Sequence, residues 1–454
     1  MAGNQTDGRH PLIVGAGPAG LTASLELLGS GVPSTVFECT AHTGGLARTA
    51  RSNRWLADPG GHRFMTTNED VLDIWRELVP PDDWLTVDRS SAMFVDGHYV
   101  KYPLEAADLL RKLGPRKAVQ GVGSYALGKI HAAGRRRREE SFQTWGLRTF
   151  GEFWYRTFFD SYTRKTWRVD PTHITSDWAR QRIQPIQWAK PAAQRGQPFS
   201  FPAHGPGQVW QSMADRLTTA GNEIHFDSPV TGIHRSGTKW ELELADGSRH
   251  RGDAVFSTMP LRTLIHRLHP TPPDPVVDAA WQLAYRDVVT VAVPVGPESD
   301  FPHQWVYIPQ NDVHVGRVQN YGQWSRHLIP EGWKGTCLGL EYYVQESERD
   351  EFDDAHYLRI AESDLAKLGV TTRRMADAFV VRSNFAYPIY DDRRADAVST
   401  ISRWLTTEHP DLYSIGRNGM HRYYNQDHAM ISAVLSVQNY LGKDVDHWTS
   451  NIAD

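Results

Sequence analysis

Apolar and polar positions along the chain alternate between two periods, and the changes of period mark out its elements. Leu12 to Val14 is a short apolar run with the character of a buried strand, and an apolar-periodic helix is predicted from Leu21 to Leu28. A second strand follows from Ser34 to Phe37. Val71, Leu72, Trp75 and Leu78 recur at helical spacing within Glu69 to Leu78, and Ala92 to Tyr99 alternates around an Asp96-Gly97 turn. Residues 104 to 190 are expected to be mostly helical, with Phe150, Phe153, Trp154, Phe158 and Phe159 as core stripes. Pro185, Pro191 and Pro198 predict loop over 183 to 201. A helix is expected over Gln208 to Leu217, then strands over 223–226, 230–234, 239–244 and 253–257. Pro270 to Pro275 is a candidate boundary. A further sheet is predicted within 285–345, including Val288 to Val295 and Thr336 to Tyr343. Helices are predicted over Asp353 to Leu368 and Ala429 to Leu441. The pattern is α/β.

Between the first strand and helix stands Gly15-x-Gly17-x-x-Gly20, with Glu38 closing the second strand. In such a turn the first glycine permits the bend and the second lets backbone approach a pyrophosphate. The third lets helix and strand pack, and the helix N-terminus faces the phosphates. The acid can take ribose hydroxyls. Strand, turn, helix, strand and acid in this order predict a dinucleotide site. Thr43-Gly-Gly-Leu-Ala-Arg-Thr49 and Asp58-Pro-Gly-Gly-His-Arg-Phe64 are further glycine turns, and His62 in the second is either a core histidine or a neighbour of a ring cofactor.

At 454 residues the chain is long enough for two or three compact units. The expected division is residues 1–103 with 204–260 and 380–454 for the dinucleotide, 104–203 as a helical insert, and 261–379 as a sheet-containing unit. A net charge of −4 gives no basic field for nucleic acid. Arg135 to Arg138, followed by two glutamates, is expected to be a solvated face. Two cysteines, Cys39 and Cys337, with no Cys-x-x-Cys, argue against a disulfide framework or a zinc site. No apolar run reaches the ~20 residues of a membrane span. The polar first ten residues lack a secretion signal, so a cytoplasmic protein is expected.

The opening turn, Glu38, the Gly44-Gly45 pair and Gly416-Arg417 resemble the FAD-binding frame of flavin amine oxidases, protoporphyrinogen oxidase and UDP-galactopyranose mutase. That resemblance implies a Rossmann-like FAD domain of the two-dinucleotide-binding-domain type, with a helical insert and an antiparallel-sheet substrate domain. It places Gly15, Gly17, Pro18, Ala19 and Gly20 on the pyrophosphate and Glu38 on the ribose. Val230 would meet adenine, while Gly44, Gly45, Leu46, Ala47, Arg48 and Gly61 would lie by the flavin with Asn425 and Gln426. Thr40 stands where the frame often has an arginine.

Several patches are most similar to the sugar mutase. Gly60-Gly-His-Arg-Phe64 resembles the stretch whose histidine faces the isoalloxazine, giving His62 that place. Tyr162-Thr-Arg-Lys-Thr-Trp167, Arg182, Tyr387 and Gly416-Arg-Asn-Gly-Met-His-Arg-Tyr423 resemble its substrate segments. The resemblance gives Tyr162, Trp167, Arg182, Tyr387 and Tyr423 to the nucleotide sugar and Arg417 to the flavin edge, with Arg286 as a further diphosphate candidate. His62, Arg182, Arg417 and Tyr423 are the expected catalytic set. Asn425 replaces an aspartate and His421 a tyrosine of the mutase run.

Two activities follow from the resemblance. The first is pyranose–furanose interconversion of a nucleotide-diphosphate sugar on reduced flavin, with NAD(P)H as the simplest reductant. The second is an FAD-dependent oxidase or dehydrogenase acting on an amine, alcohol or sugar carbon, with His62 and His421 handling protons. Either substrate is a small molecule, and the mutase resemblance implies association into homo-oligomers.

Overall fold

Leu12–Val14 is the middle strand of a five-stranded parallel sheet, flanked by Val255–Ser257 and Thr35–Phe37. Leu412–Ser414 and Glu223–His225 form its edges. The structure is a computed structural model that describes residues 8–132, 140–176, 179–180, 183–186, 198–372 and 374–448. The first strand in the chain neighbours the second on one side and the fourth on the other. The crevice beyond its carboxyl end is therefore a topological switch point, where such sheets bind ligands. Pro18 opens the helix Pro18–Gly29 at a position where a missing N–H costs nothing. Leu21, Ala23 and Leu27 of that helix share a core with Met430, Ala433 and Val437 of Gln426–Tyr440. Two helix N-termini, at Pro18 and Gln426, thereby come to one side of the sheet.

A four-stranded sheet, with Val230–Ser236 between Lys239–Leu244 and Leu268–His269, carries Val230 to the same crevice. The third sheet has seven strands, running Phe379–Pro388, Tyr285–Val295, Thr336–Gln345, Arg317–Asn320, Trp305–Tyr307, Ser91–Val95 and His98–Lys101. It is antiparallel except where Trp305–Tyr307 runs parallel to Ser91–Val95. Tyr285–Val295 is buried throughout, which is why its sequence is a near-continuous apolar run. Asp354–Lys367 covers one face with Tyr357, Ala361 and Leu365.

Helices Ala106–Ala132, Phe142–Phe150 and Ser161–Trp167 make up the insert, and Phe150, Trp154, Phe158 and Phe159 form its core. Lys165 is anchored to the sheet through the carbonyls of Ile308 and Val315, both at 3.2 Å, and burial pushes its pKa down to about 8.

One expectation is corrected. Phe199–Pro202, inside the predicted loop, is a strand antiparallel to Trp84–Val87, with Phe199 and Phe201 buried. Its alternation is too short, and too close to prolines, to be seen in sequence. Pro275, in the Pro-rich stretch 270–275, sits in the first turn of the helix Asp274–Trp281. Among the described residues no helix is long and apolar enough to cross a membrane, and no His/Cys/Asp/Glu group could hold a metal.

Candidate active site

A cavity of about 1550 Å³ opens at the switch point and runs toward the helical insert. Its near wall is the glycine turn. Gly15 has φ +100°, and a Cβ there would stand 2.1 Å from Thr258 Oγ1. A Cβ on Gly20 would stand 1.9 Å from the Gly15 carbonyl oxygen, so this glycine serves helix packing and does not line the cavity. Gly17 differs, since a Cβ there meets only the Gly45 Cα, at 3.9 Å, and would project into the cavity space. Pro18 and Ala19 continue the wall.

Glu38 is buried at the strand end. Its carboxylate accepts from Ala16 N at 2.8 Å, Thr40 N at 3.0 Å and Thr40 Oγ1 at 2.8 Å. Thr40, standing in for the frame's arginine, thus orients the acid. Gly45, Leu46, Ala47 and Arg48 line the cavity; Gly44 does not. Gly44 has φ +89° and a Cβ on it would crowd Arg48 and Trp210, so its role is the turn itself. Arg48 is spent on backbone, donating to the carbonyls of Gly45 at 3.0 Å and Arg382 at 2.7 Å. Gly61 lets the Trp305 and Trp324 rings close in, at 2.9 and 3.1 Å from where its Cβ would be.

His62 Nε2 donates to the Leu46 carbonyl at 2.9 Å, which leaves Nδ1 as the acceptor of a neutral ring. Burial first, then repulsion from Arg417, pushes its pKa down to about 4. Arg417 donates to the carbonyls of Ala386 at 2.9 Å and Tyr424 at 2.8 Å. The Tyr387 and Tyr423 rings stack at 5.4 Å beneath its guanidinium, and Trp167 closes on both.

Tyr162, Trp167, Tyr387 and Tyr423 share the far part of the cavity with residues that the sequence did not single out. Arg317 is held by Glu341 at 2.7 Å and reaches Tyr387 Oη at 3.5 Å. Burial opposes the Arg317 charge, but attraction to Glu341 together with Tyr387, Tyr343 and Tyr162 outweighs it and keeps the pKa well above the ordinary value. Tyr343 bridges Glu341 and Tyr162, with oxygens 3.4 Å apart in each contact. Burial holds the phenols of Tyr162, Tyr343 and Tyr387 well above their usual range, so they remain donors at neutral pH.

Arg286 does not line the cavity. It is buried and donates to the Trp167 carbonyl, a support for the insert's last helix. Arg182 lies outside the described residues. His421 is also away from the cavity: its Nε2 meets the Ala284 carbonyl at 3.0 Å and Arg394 Nε meets its Nδ1 at 3.1 Å. Gly416, Asn425 and Gln426 do reach the wall, at the start of Gln426–Tyr440.

These residues fit a flavin dinucleotide. Two helix N-termini offer free amides and positive dipole ends to one wall, Gly17 leaves room at the turn, and Gln426 Nε2 is buried there without a partner among the described residues. The fold and the cradle define a flavoprotein of the dinucleotide-binding class. A model for flavin containing amine oxidoreductase matches residues 18–297, and the chain belongs to that family of flavin enzymes. A reduced UDP-galactopyranose mutase has the same fold, with a TM-score of 0.85 and 21% identity, covering 98% of each chain. A CLA-producing fatty acid isomerase from P. acnes superposes with a TM-score of 0.65 at 14% identity, covering 97% of this chain and all of its own. The L-amino acid oxidase Cdc18 of Crotalus durissus cumanensis is 41% identical over 70 residues, which are 15% of this chain and 14% of that protein. The chain thus matches under a fifth of that relative's length.

Proposed function

We propose that the enzyme is a flavin-dependent mutase that interconverts the pyranose and furanose forms of a nucleotide-diphosphate sugar. The observation that carries this reading is the convergence of Arg317, Arg417, Tyr387 and Tyr423 in one part of the cavity. Planar guanidinium forks and protonated phenols suit the several oxygens of a diphosphate, through charge-assisted, directional hydrogen bonds.

FAD, once bound and reduced by NAD(P)H, would supply a nucleophilic ring nitrogen to the anomeric carbon. The glycine turn, Glu38, Val230 and the Gln426 amide would hold the cofactor. His62, neutral and tethered to Leu46, would face the ring as a hydrogen-bond acceptor without adding charge. Arg317, Arg417, Tyr387 and Tyr423, joined by Arg182, would grip the diphosphate as leaving group and keep it ready for return. The reaction is redox-neutral overall and calls for no general base at the sugar carbon, which suits a cavity whose histidine is made a weak base by burial and by Arg417. We place this activity in the cytoplasm and in a homo-oligomer.

The second reading is an oxidoreductase acting on an amine, alcohol or sugar carbon. The family itself and the local match to L-amino acid oxidases support it. The two readings separate in one experiment. Protein reduced with dithionite is incubated anaerobically with UDP-sugars, and the products are resolved by ion-pair chromatography. The mutase reading expects a redox-neutral isomer that does not form with oxidised protein. Unchanged nucleotide sugar, together with peroxide release from amines in air, would replace it with the oxidase reading.

A further inference from the structure

Beside the clamp lies a second pair of cations. Arg63 and Arg89 both line the cavity, and among the described residues neither meets a carboxylate. Arg317, by contrast, is balanced by Glu341. The Arg63 guanidinium is fixed in place, 4.0 Å from the Trp305 ring centroid and 5.3 Å from that of Phe199. Among the described residues its hydrogen bond is a long contact of 3.5 Å from Nη2 to Ser91 Oγ, and its Nε is buried and unpaired. Arg89 Nε is buried and unpaired in the same way. Burial and repulsion from Arg89 pull the Arg63 pKa down to about 9, the mark of a cation without its counter-charge. Burying two guanidinium Nε–H groups without acceptors is costly, and an incoming anion offsets that cost.

Their place in the cavity says which part of a substrate they meet. Arg63 directly follows His62, whose ring is tied to Leu46 on the cradle side. Arg63 and Arg317 lie over one ring, 4.0 and 5.6 Å from the Trp305 centroid, so the pair borders the diphosphate clamp. On the mutase reading, with the diphosphate on Arg317 and Arg417 and the sugar toward the flavin at His62, the sugar would lie beside Arg63.

We propose that Arg63 and Arg89 form an anion subsite for a carboxylate on the sugar, so that the preferred substrate is a nucleotide-diphosphate uronic acid. The proposal rests on the nucleotide-sugar reading above. A guanidinium fork matches a carboxylate with two parallel hydrogen bonds, and stacking on Trp305 orders the fork beforehand.

The test titrates flavin-loaded, full-length protein with UDP-galacturonate and with UDP-galactose, following binding by calorimetry. The acid is expected to bind at least tenfold more tightly. Arg63→Met, which keeps an apolar side chain against Trp305, should abolish that preference while changing UDP-galactose affinity less than twofold. Arg89→Gln should reduce the preference severalfold. Equal affinity of the wild-type protein for the two sugars overturns the subsite and leaves the clamp standing. Absence of binding by either sugar, and by UDP, overturns the nucleotide-sugar reading and the subsite with it. The wild-type comparison decides even if a variant fails to fold.

Discussion

The Arg417 guanidinium lies over the Tyr423 ring, 4.3 Å from its centroid, and 5.0 Å from the centroid of Tyr387. Its Nε and Nη1 are committed to carbonyls, so the planar group acts as a fixed lid on two stacked phenols. Arg417→Lys keeps the charge but loses both the plane and the fork. Nucleotide-sugar affinity is expected to fall about tenfold, ~1.4 kcal/mol, with flavin content retained. Calorimetry on the flavin-loaded variant checks this, and an unchanged Kd would contradict the clamp.

The glycine turn offers a graded test. Gly17→Ala adds a methyl group that meets no protein atom closer than 3.9 Å, so the fold should stand while flavin affinity drops at least tenfold. Gly20→Ala drives its methyl to 1.9 Å from a backbone oxygen, and the protein itself should lose stability. Denaturant midpoints and flavin content, measured together, should separate the two variants. Equal flavin affinity in wild type and Gly17→Ala would show that the turn does not hold the pyrophosphate.

Glu341 is buried in the seven-stranded sheet, where it pairs with Arg317 and accepts from Gln319 Nε2 at 2.8 Å. Glu341→Ala leaves Arg317 charged and uncompensated, and is expected to cost about 3–5 kcal/mol in chemical denaturation. A cost under ~1 kcal/mol would mean that water or a rearranged neighbour screens Arg317.

What was legible in the sequence was local. The strand, turn, helix and acid of residues 12–38 lie within one supersecondary unit, and Gly416 to Gln426 within another, so consecutive residues display their chemistry together. Arg317, Glu341 and Tyr343 were not legible, because strand pairing alone brings them to Tyr162 and Tyr387, more than a hundred residues from the first of these. Arg286 shows the converse error. It follows a buried tyrosine at the start of a long strand and is cationic, but it is spent on a backbone carbonyl of the insert. Residue type alone did not distinguish a support from a ligand. Trp305 and Trp324 explain Gly61, a glycine whose reason lies wholly in distant rings.

Stability should respond to acid through His421. Its two ring nitrogens are both engaged in the neutral form, and burial, then repulsion from Arg394, pushes its pKa to about 3. The unfolded chain takes up this proton below pH ~6.5 while the folded chain does not. The contribution is therefore complete above pH ~6.5 and is lost as pH falls toward 3, by about 2 kcal/mol at pH 5. His421→Gln has no such proton to bind, so its stability should fall less than that of wild type between pH 7 and 5. Parallel stability curves, measured with urea at each pH, would refute this assignment.

The most direct test of a cavity shared by a cradle-held flavin and a diphosphate clamp is the flavin spectrum under titration. UDP-galactose or UDP-galacturonate added to the flavin-loaded protein should perturb the flavin absorbance saturably, and Tyr423→Phe should shift the midpoint to higher concentration. A flavin spectrum indifferent to nucleotide sugars, yet bleached by L-amino acids, would contradict the account.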